Sequence, residues 1–264
     1  MERIEEFTKE KHKEISRIYD EGREDKFWEW KTEREQLDFS YRIYMGWDPD
    51  ETESVAKLME NGDAVNTLDE NNRTPLVYAV RRDSEADVKM LLEYGANINY
   101  GNKNVDCNYP IIEASIRNNT KMVKMLVEKG ADMNVRDFEE NLTPLHFACG
   151  DGNEELVKFF LDKGVDVNSN TDDGPTALMT ACINENTNIV QMLIDNGANI
   201  NWKDSDGVTA INQASFREKP EIVSLLLDNG ADANIKDRWG DTALTKAIEY
   251  ENTDIVNLIK NHNL

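Results

Sequence analysis

Residues Thr143–Asn168 read "TPLHFACGDGNEELVKFFLDKGVDVN". This stretch places His146 three residues before Cys149, so the two side chains are neighbours if the segment is helical. Such a pair has three readings: a nucleophile with its general base, half of a metal site, or two residues of a packed core. The rest of the chain helps to decide among them, because the same pattern recurs along it.

Blocks similar to the first seven residues of that stretch recur at a nearly fixed period. They begin at Thr74, Tyr109, Thr143, Thr176, Thr209 and Thr242, and read TPLVYAV, YPIIEAS, TPLHFAC, TALMTAC, TAINQAS and TALTKAI. The steps between them are 35, 34, 33, 33 and 33 residues. A glycine stands 21 residues after each of the first five block starts, so the length varies only between this glycine and the next block. A period in this range indicates a stacked repeat.

The order of residues in one unit predicts two helices followed by a hairpin. Thr143 suits a helix cap and Pro144 the first helical position, while Asn153 starts a second helix that Gly164 ends in a left-handed turn. The second helix carries an apolar stripe of Leu156, Phe159, Phe160 and Leu161. The segment VDVNSNTDDGP then alternates and turns, which predicts a β-hairpin. None of these elements buries its apolar face alone, so the units are expected to stack into a solenoid.

The period and the TPLHFA of Thr143–Ala148 resemble the ankyrin repeat, over roughly residues 40–264. The resemblance implies an all-α solenoid of about seven helix-turn-helix units with β-hairpin loops, starting near residues 41, 74, 109, 143, 176, 209 and 242. It implies a protein–protein interaction scaffold rather than an enzyme, with contacts through hairpin tips and inner helices. It also gives His146 the family's capping position, in which the histidine hydrogen-bonds to a repeat threonine.

The first 40 residues fall outside this period and form a separate N-terminal segment, followed by a repeat domain over 41–264. Counting back from Thr74 reaches Tyr41, and Gly62 follows 21 residues later, which fits a degenerate first unit. Before it, apolar residues such as Phe27 and Trp30 recur at helical spacing and predict an amphipathic helix over 24–38. We expect these residues to cap the stack, because an open stack end exposes apolar surface. A docking segment for a partner is the alternative.

The sequence predicts no catalytic residue, no cofactor site and no metal site. It contains no phosphate-binding glycine loop, no dinucleotide fingerprint, no zinc-protease motif and no hydrolase elbow. Cys149 and Cys182 occupy one position in successive units, where Val80, Ser115 and Ser215 also stand, so a small packing side chain is expected there. The DSDG of Asp204–Gly207 lacks the distal acidic ligand of a calcium loop, and we interpret it as a turn.

Composition and charge restrict the partners. The chain has 264 residues and a formal net charge of -22, which repels nucleic acid and favours a basic protein partner. Its apolar runs are too short to span a bilayer, and the charged start MERIEEFTKEKHKE does not resemble a signal peptide. Three cysteines do not make a disulfide framework, which favours a reducing cytoplasm, with secretion as an effector left open. We expect a monomer.

Candidate partner-binding residues lie at the predicted hairpin tips and inner-helix ends. Acids at the tips are Asp172, Asp173, Asp204 and Asp206; aromatics are Tyr100, Phe138, Trp202 and Trp239; inner-helix ends add Arg81, Arg82, Phe216, Arg217 and Tyr250. Aromatic anchors within a charged rim are typical of interface hot spots, although each aromatic has the alternative of packing on its neighbouring hairpin. Two other roles remain open: an acidic inhibitor or immunity protein that neutralises a basic toxin or nuclease, and a microbial effector adaptor.

Overall fold

The computed structural model describes residues 64–66, 68, 73–101, 109–137, 141–169, 174–183 and 186–262. The N-terminal segment 1–40, the first unit from Tyr41 up to residue 63, and Cys107 lie outside the described residues. Three candidate binding residues, Phe138, Asp172 and Asp173, lie outside them as well. The predictions made for these residues stay predictions.

The described residues form twelve α-helices in six pairs, preceded by one turn of 3-10 helix at Ala64–Asn66. The pairs are α1 Pro75–Arg81 and α2 Glu85–Glu93, α3 Pro110–Ile116 and α4 Thr120–Glu128, α5 Pro144–Gly150 and α6 Glu154–Asp162, α7 Ala177–Ala181 and α8 Thr187–Asp195, α9 Ala210–Phe216 and α10 Pro220–Asp228, and α11 Ala243–Glu249 and α12 Thr253–His262. Each pair begins at a predicted block start, so the predicted all-α repeat solenoid is confirmed. The seventh predicted pair would lie before residue 64.

Side-chain caps explain where the helices begin. The Thr74 hydroxyl accepts a hydrogen bond from the Val77 N–H at 3.4 Å, and Thr176 does the same for Met179 at 3.2 Å. The second helix of a unit begins after a second cap, and the Asn153 side chain accepts from the Leu156 N–H at 3.0 Å. These caps satisfy backbone donors that a helix leaves unpaired, which is why the repeating sequence repeats the same helix boundaries.

The helices stack in two rows around one continuous core. The first helices contact one another in the order α1, α3, α5, α7, α9 and α11, and the later second helices α6, α8, α10 and α12 form the outer row. In α6, Leu156, Val157 and Phe160 are fully buried. The predicted stripe packs against the core, with Phe159 half-buried under the ammonium groups of Lys124 and Lys163.

The predicted hairpins are tight turns without paired β-strands in the described part of the chain. Backbone hydrogen bonds close these turns, among them the bond from the Asp204 N–H to the Val208 carbonyl at 3.1 Å and that from the Asp237 N–H to the Asp241 carbonyl at 2.9 Å. The loops are too short to build a ladder, so the correction concerns the strands and not the position of the tips. Gly164 has the left-handed backbone predicted for it, with φ of +76°.

Asparagines connect the loops of adjacent units. The Asn168 side chain donates to the Gly197 carbonyl at 2.9 Å and accepts from the Asn199 N–H at 2.7 Å. Equivalent pairs of bonds run from Asn66 to Gly95 and Asn97, from Asn99 to Gly130 and Asp132, and from Asn201 to Gly230 and Asp232. Each of these asparagines therefore ties its own loop to the helix end of the following unit.

Candidate partner-binding surface

His146 and Cys149 are core residues. The His146 Nδ1 atom lies 3.2 Å from the Thr143 backbone nitrogen and 2.8 Å from its hydroxyl oxygen, and Nε2 lies 3.2 Å from the Pro175 carbonyl oxygen. The pKa of His146 is lowered to about 4, mainly by burial; the hydrogen bond to the Pro175 carbonyl opposes this shift and the Arg136 charge adds to it. Burial also raises the pKa of the Cys149 thiol far above its usual range. A neutral, fully bonded imidazole beside a protonated thiol is structural, as the capping role implies.

The described residues offer no metal centre. Within those ranges, no group of three or more His, Cys, Asp or Glu side chains is arranged to hold an ion. Among the described helices, none is long and apolar enough to cross a bilayer.

The Asp204 carboxylate shapes its own turn. Its Oδ1 atom accepts hydrogen bonds from the Asp206 and Val208 N–H groups, both at 2.9 Å. Burial raises the pKa of Asp204, while these two bonds and the Arg238 charge act in the opposite direction. Asp237 repeats the arrangement one unit later, with bonds from Trp239 at 3.0 Å and Asp241 at 2.8 Å. These acids therefore serve turn geometry, whatever else they contact.

The next acid of the tip joins two adjacent loops. Asp206 accepts from the Arg238 Nη1 group at 2.6 Å, and its carbonyl oxygen accepts from the Arg238 N–H at 2.7 Å. The Arg238 guanidinium in turn stacks 4.3 Å from the centre of the Trp239 ring. Trp239 is 61% exposed, so this tip presents a large aromatic surface held by a cation and an acid. Among the tip aromatics that the structure describes, Trp239 is the most exposed.

Trp202 and Tyr100 are less exposed than their sequence positions indicate. Trp202 is half-buried against the core, and its Nε1 atom is buried without a hydrogen-bond partner in the described structure. Tyr100 is also half-buried.

The arginines at the end of α1 are engaged with carboxylates. Arg81 Nε contacts the buried Glu113 carboxylate at 2.9 Å, and Arg82 contacts Asp87 at 2.9 Å. Arg117 reaches the same Glu113 oxygen at 3.9 Å. Two guanidinium groups thus share one carboxylate.

Phe216 and Tyr250 come from adjacent units and contact each other. Their ring centres lie 5.3 Å apart with an 87° angle between planes, which is the edge-to-face geometry that aromatic rings prefer. The Arg217 guanidinium lies 5.4 Å from the Phe216 ring centre. The structure therefore joins three of the predicted residues into one exposed cluster.

The predicted residues form two edges rather than one surface. Asp204, Asp206 and Trp239 lie in the tips that precede the inner helices, whereas Phe216 and Tyr250 lie where those helices end. A seven-residue helix such as α9 is about 10 Å long, so it separates the tip edge from the helix-end edge.

Sequence reasoning missed two residues of the helix-end edge. Glu218 and Glu251 have φ of +57° and +56°, at the position where Gly152 stands in its own unit with φ of +69°. Aligning the units at this position would have revealed them, because a glycine there indicates a left-handed backbone.

The comparison with known families agrees with this architecture. A family model described as "Ankyrin repeats (3 copies)" matches residues 48–137, 111–204, 145–237 and 196–264. These matches together cover most of the chain, which therefore belongs to the ankyrin-repeat family. Repeats of this family mediate protein–protein binding, so the fold and its exposed edges define a protein–protein interaction scaffold.

Proposed function

We propose that the chain binds a protein partner with a basic surface, through its loop tips and the ends of its inner helices. The observation that carries the proposal is the net charge of -22 on a fold built for protein binding. A field of that sign accelerates encounter with cationic surfaces and slows it with anionic ones. Catalysis has no part in this role.

Exposed aromatics supply the second requirement of an interface, which is apolar area. Trp239 is 61% exposed, and Phe216 and Tyr250 are 41% and 42% exposed. Such anchors determine how slowly a complex dissociates, while the surrounding charges determine how fast it forms. Asp172 and Asp173 would extend the acidic rim of the tips, as proposed from sequence.

The decisive measurement is association and dissociation kinetics with a purified partner across a salt series. Neutralising Asp172, Asp173 and Asp206 to asparagine should slow association, and the difference should fade as salt shortens the Debye length below about 8 Å. Trp239→Ala should instead speed dissociation. An affinity that responds neither to salt nor to these changes would contradict the proposal and direct attention to Phe27 and Trp30.

The same charge supports a second candidate role, that of an acidic inhibitor or immunity protein for a basic toxin or nuclease. Mixing the chain with a basic ribonuclease and following substrate cleavage separates the two roles, since a scaffold leaves the enzyme active. A microbial effector adaptor is a further variant of the scaffold role, distinguished by tracking a tagged chain in an infected cell.

We also propose a reducing cytoplasmic location, a monomeric state, and a division into residues 1–40 and a repeat domain over 41–264. Two free, fully buried thiols, Cys149 and Cys182, support the first point. Light scattering tests the second, and limited proteolysis that cuts before the repeats tests the third.

A further inference from the structure

The helix-end edge of the last two units carries a pair of aromatic rings that are partly exposed to solvent. Phe216 ends α9, and Tyr250 caps α11. The rings touch edge to face, yet each keeps more than two-fifths of its surface exposed. Paired aromatics at a surface are typical of a contact area rather than of a core.

Three glutamates flank these rings along the chain. Glu218 lies two residues after Phe216, Glu249 precedes Tyr250, and Glu251 follows it; all three are exposed. Glu249 has a partial counter-charge in Lys246, at 3.6 Å. Arg217 lies over the Phe216 ring, and Lys219 and Lys246 are also near this edge. The exposed Glu221 and Asp254 at the start of α10 and α12 add to the three glutamates, so acids outnumber cations beside the apolar surface.

Two of these acids occupy a backbone conformation that disfavours them. Glu218 and Glu251 are left-handed, with φ of +57° and +56°, where other units have Asp83, Asn118 or Gly152. Asparagine, aspartate and glycine tolerate this conformation, whereas a glutamate does so at a cost. Strained backbone positions of this kind cluster at functional sites.

We propose that Phe216, Glu218, Tyr250 and Glu251 form a docking surface for a basic amphipathic segment of a partner protein. The lysines or arginines of that segment pair with the two carboxylates, and its apolar side chains cover the two rings. Charge complementarity selects this occupant, because an acidic segment would meet three exposed carboxylates and a cation also gains from the ring faces. The proposal rests on the proposed function and adds a contact at the edge opposite the tips.

The geometry of other units supports a local rather than a general surface. The equivalent positions of the third described unit hold Gly150, Asp151 and Gly152, which offer no ring. Glutamate at the left-handed position and an aromatic at the helix end coincide only in the last two of the described units. Docking is therefore expected at this end of the stack.

The test uses the full chain and a fluorescein-labelled helical peptide of leucine and lysine, followed by fluorescence anisotropy at low salt. Phe216→Ala or Tyr250→Ala should weaken binding about thirtyfold, as for a hot-spot residue. Glu218→Gln with Glu251→Gln should weaken it about tenfold, with little change in stability, because charge is lost and the strained backbone kept. Arg217→Gln should tighten binding about threefold by removing a competing cation.

Glu128→Gln is the matched control, since Glu128 is exposed at the end of α4 and away from this edge. An equal loss in that variant, or unchanged binding in the double glutamine variant, overturns the proposal, as does a wild-type chain that does not bind the peptide. Asp206→Asn separates the two hypotheses. If only this tip variant weakens binding, the proposal of a basic partner is kept and the proposal of docking at the helix-end edge is rejected. If no substitution of an acidic residue weakens binding, both proposals are rejected.

Glu218→Gly provides a readout that binding alone does not. Removing the side chain should relieve the left-handed strain and raise the thermal midpoint, while peptide affinity falls as in Glu218→Gln. A glycine variant with unchanged affinity would show that the residue has no role in docking.

Discussion

Replacing Asn212 with histidine should stabilise the fold, because the molecule contains both versions of the same cap. In one unit His146 reaches the Thr143 cap through Nδ1 and the Pro175 carbonyl of the next unit through Nε2. Asn212 holds the equivalent place and contacts the Thr209 hydroxyl, but its Nδ2 group is buried without a partner in the described structure. The amide is too short to cross to the following unit.

The carbonyl that a histidine would reach at this position belongs to Asp241, by the same 29-residue offset that joins His146 to Pro175. A buried donor without a partner costs about 1–3 kcal/mol, and the new hydrogen bond contributes about 1 kcal/mol. Part of this gain is offset by fitting a larger ring into a core position. We therefore expect Asn212→His to raise the free energy of unfolding by about 1–2 kcal/mol.

Urea unfolding followed by circular dichroism at neutral pH measures the difference. The reverse change, His146→Asn, serves as the matched comparison and should destabilise by a similar amount. A midpoint for Asn212→His at or below that of the wild type, with His146→Asn also neutral, would refute the argument that the inter-unit bond stabilises this stack.

Three further outcomes follow from burial. The pKa of His146 is about 4 in the folded chain, against an ordinary 6.5. As the pH falls from 6.5 to 4, only the unfolded histidine takes up a proton, so the wild type should lose about 3 kcal/mol of unfolding free energy relative to His146→Gln. Stability curves at several pH values check this. Ser215 is fully buried, and its hydroxyl has no partner in the described structure, so Ser215→Ala should stabilise the fold by about 1 kcal/mol. Ser115→Ala should not stabilise it, because the Ser115 hydroxyl donates to the Ile111 carbonyl at 2.8 Å. Thermal unfolding of both variants tests the difference. Thiol labelling of the native protein should modify Cys107 first, and mass spectrometry showing earlier modification of the two buried thiols would contradict it.

The repeat could be predicted from sequence because its period fixes many positions at once. A single threonine or glycine is weak evidence, but Thr143, Gly164 and their equivalents recur in register, so the helix boundaries followed. The burial of Cys149 and Cys182 followed for the same reason, from small residues at one offset.

The surface was harder to predict, because it depends on contacts between units. Nothing local distinguishes Trp202, which packs against the core, from Trp239, which stands in solvent beside Arg238. The sequence allowed Asp204 to serve either an interface or a turn. The structure shows that its Oδ1 atom accepts hydrogen bonds from two backbone N–H groups of the turn. The contact between Phe216 and Tyr250 could not be predicted, because it depends on how closely adjacent units stack.

The asparagine bonds between loops give the stack a direction. Asn168 reaches forward to the Gly197 carbonyl, and Asn201 reaches forward to that of Gly230. A unit linked in this way thus receives its helix-end bonds from its predecessor and supplies those of its successor. Shortening the chain from the C-terminal side would leave an asparagine side chain without its two partners, whereas shortening it from the N-terminal side would leave a glycine carbonyl and a nearby N–H group without theirs. An asparagine link is therefore lost whichever of its two units is removed, so it couples the unfolding of neighbouring units from either end of the stack.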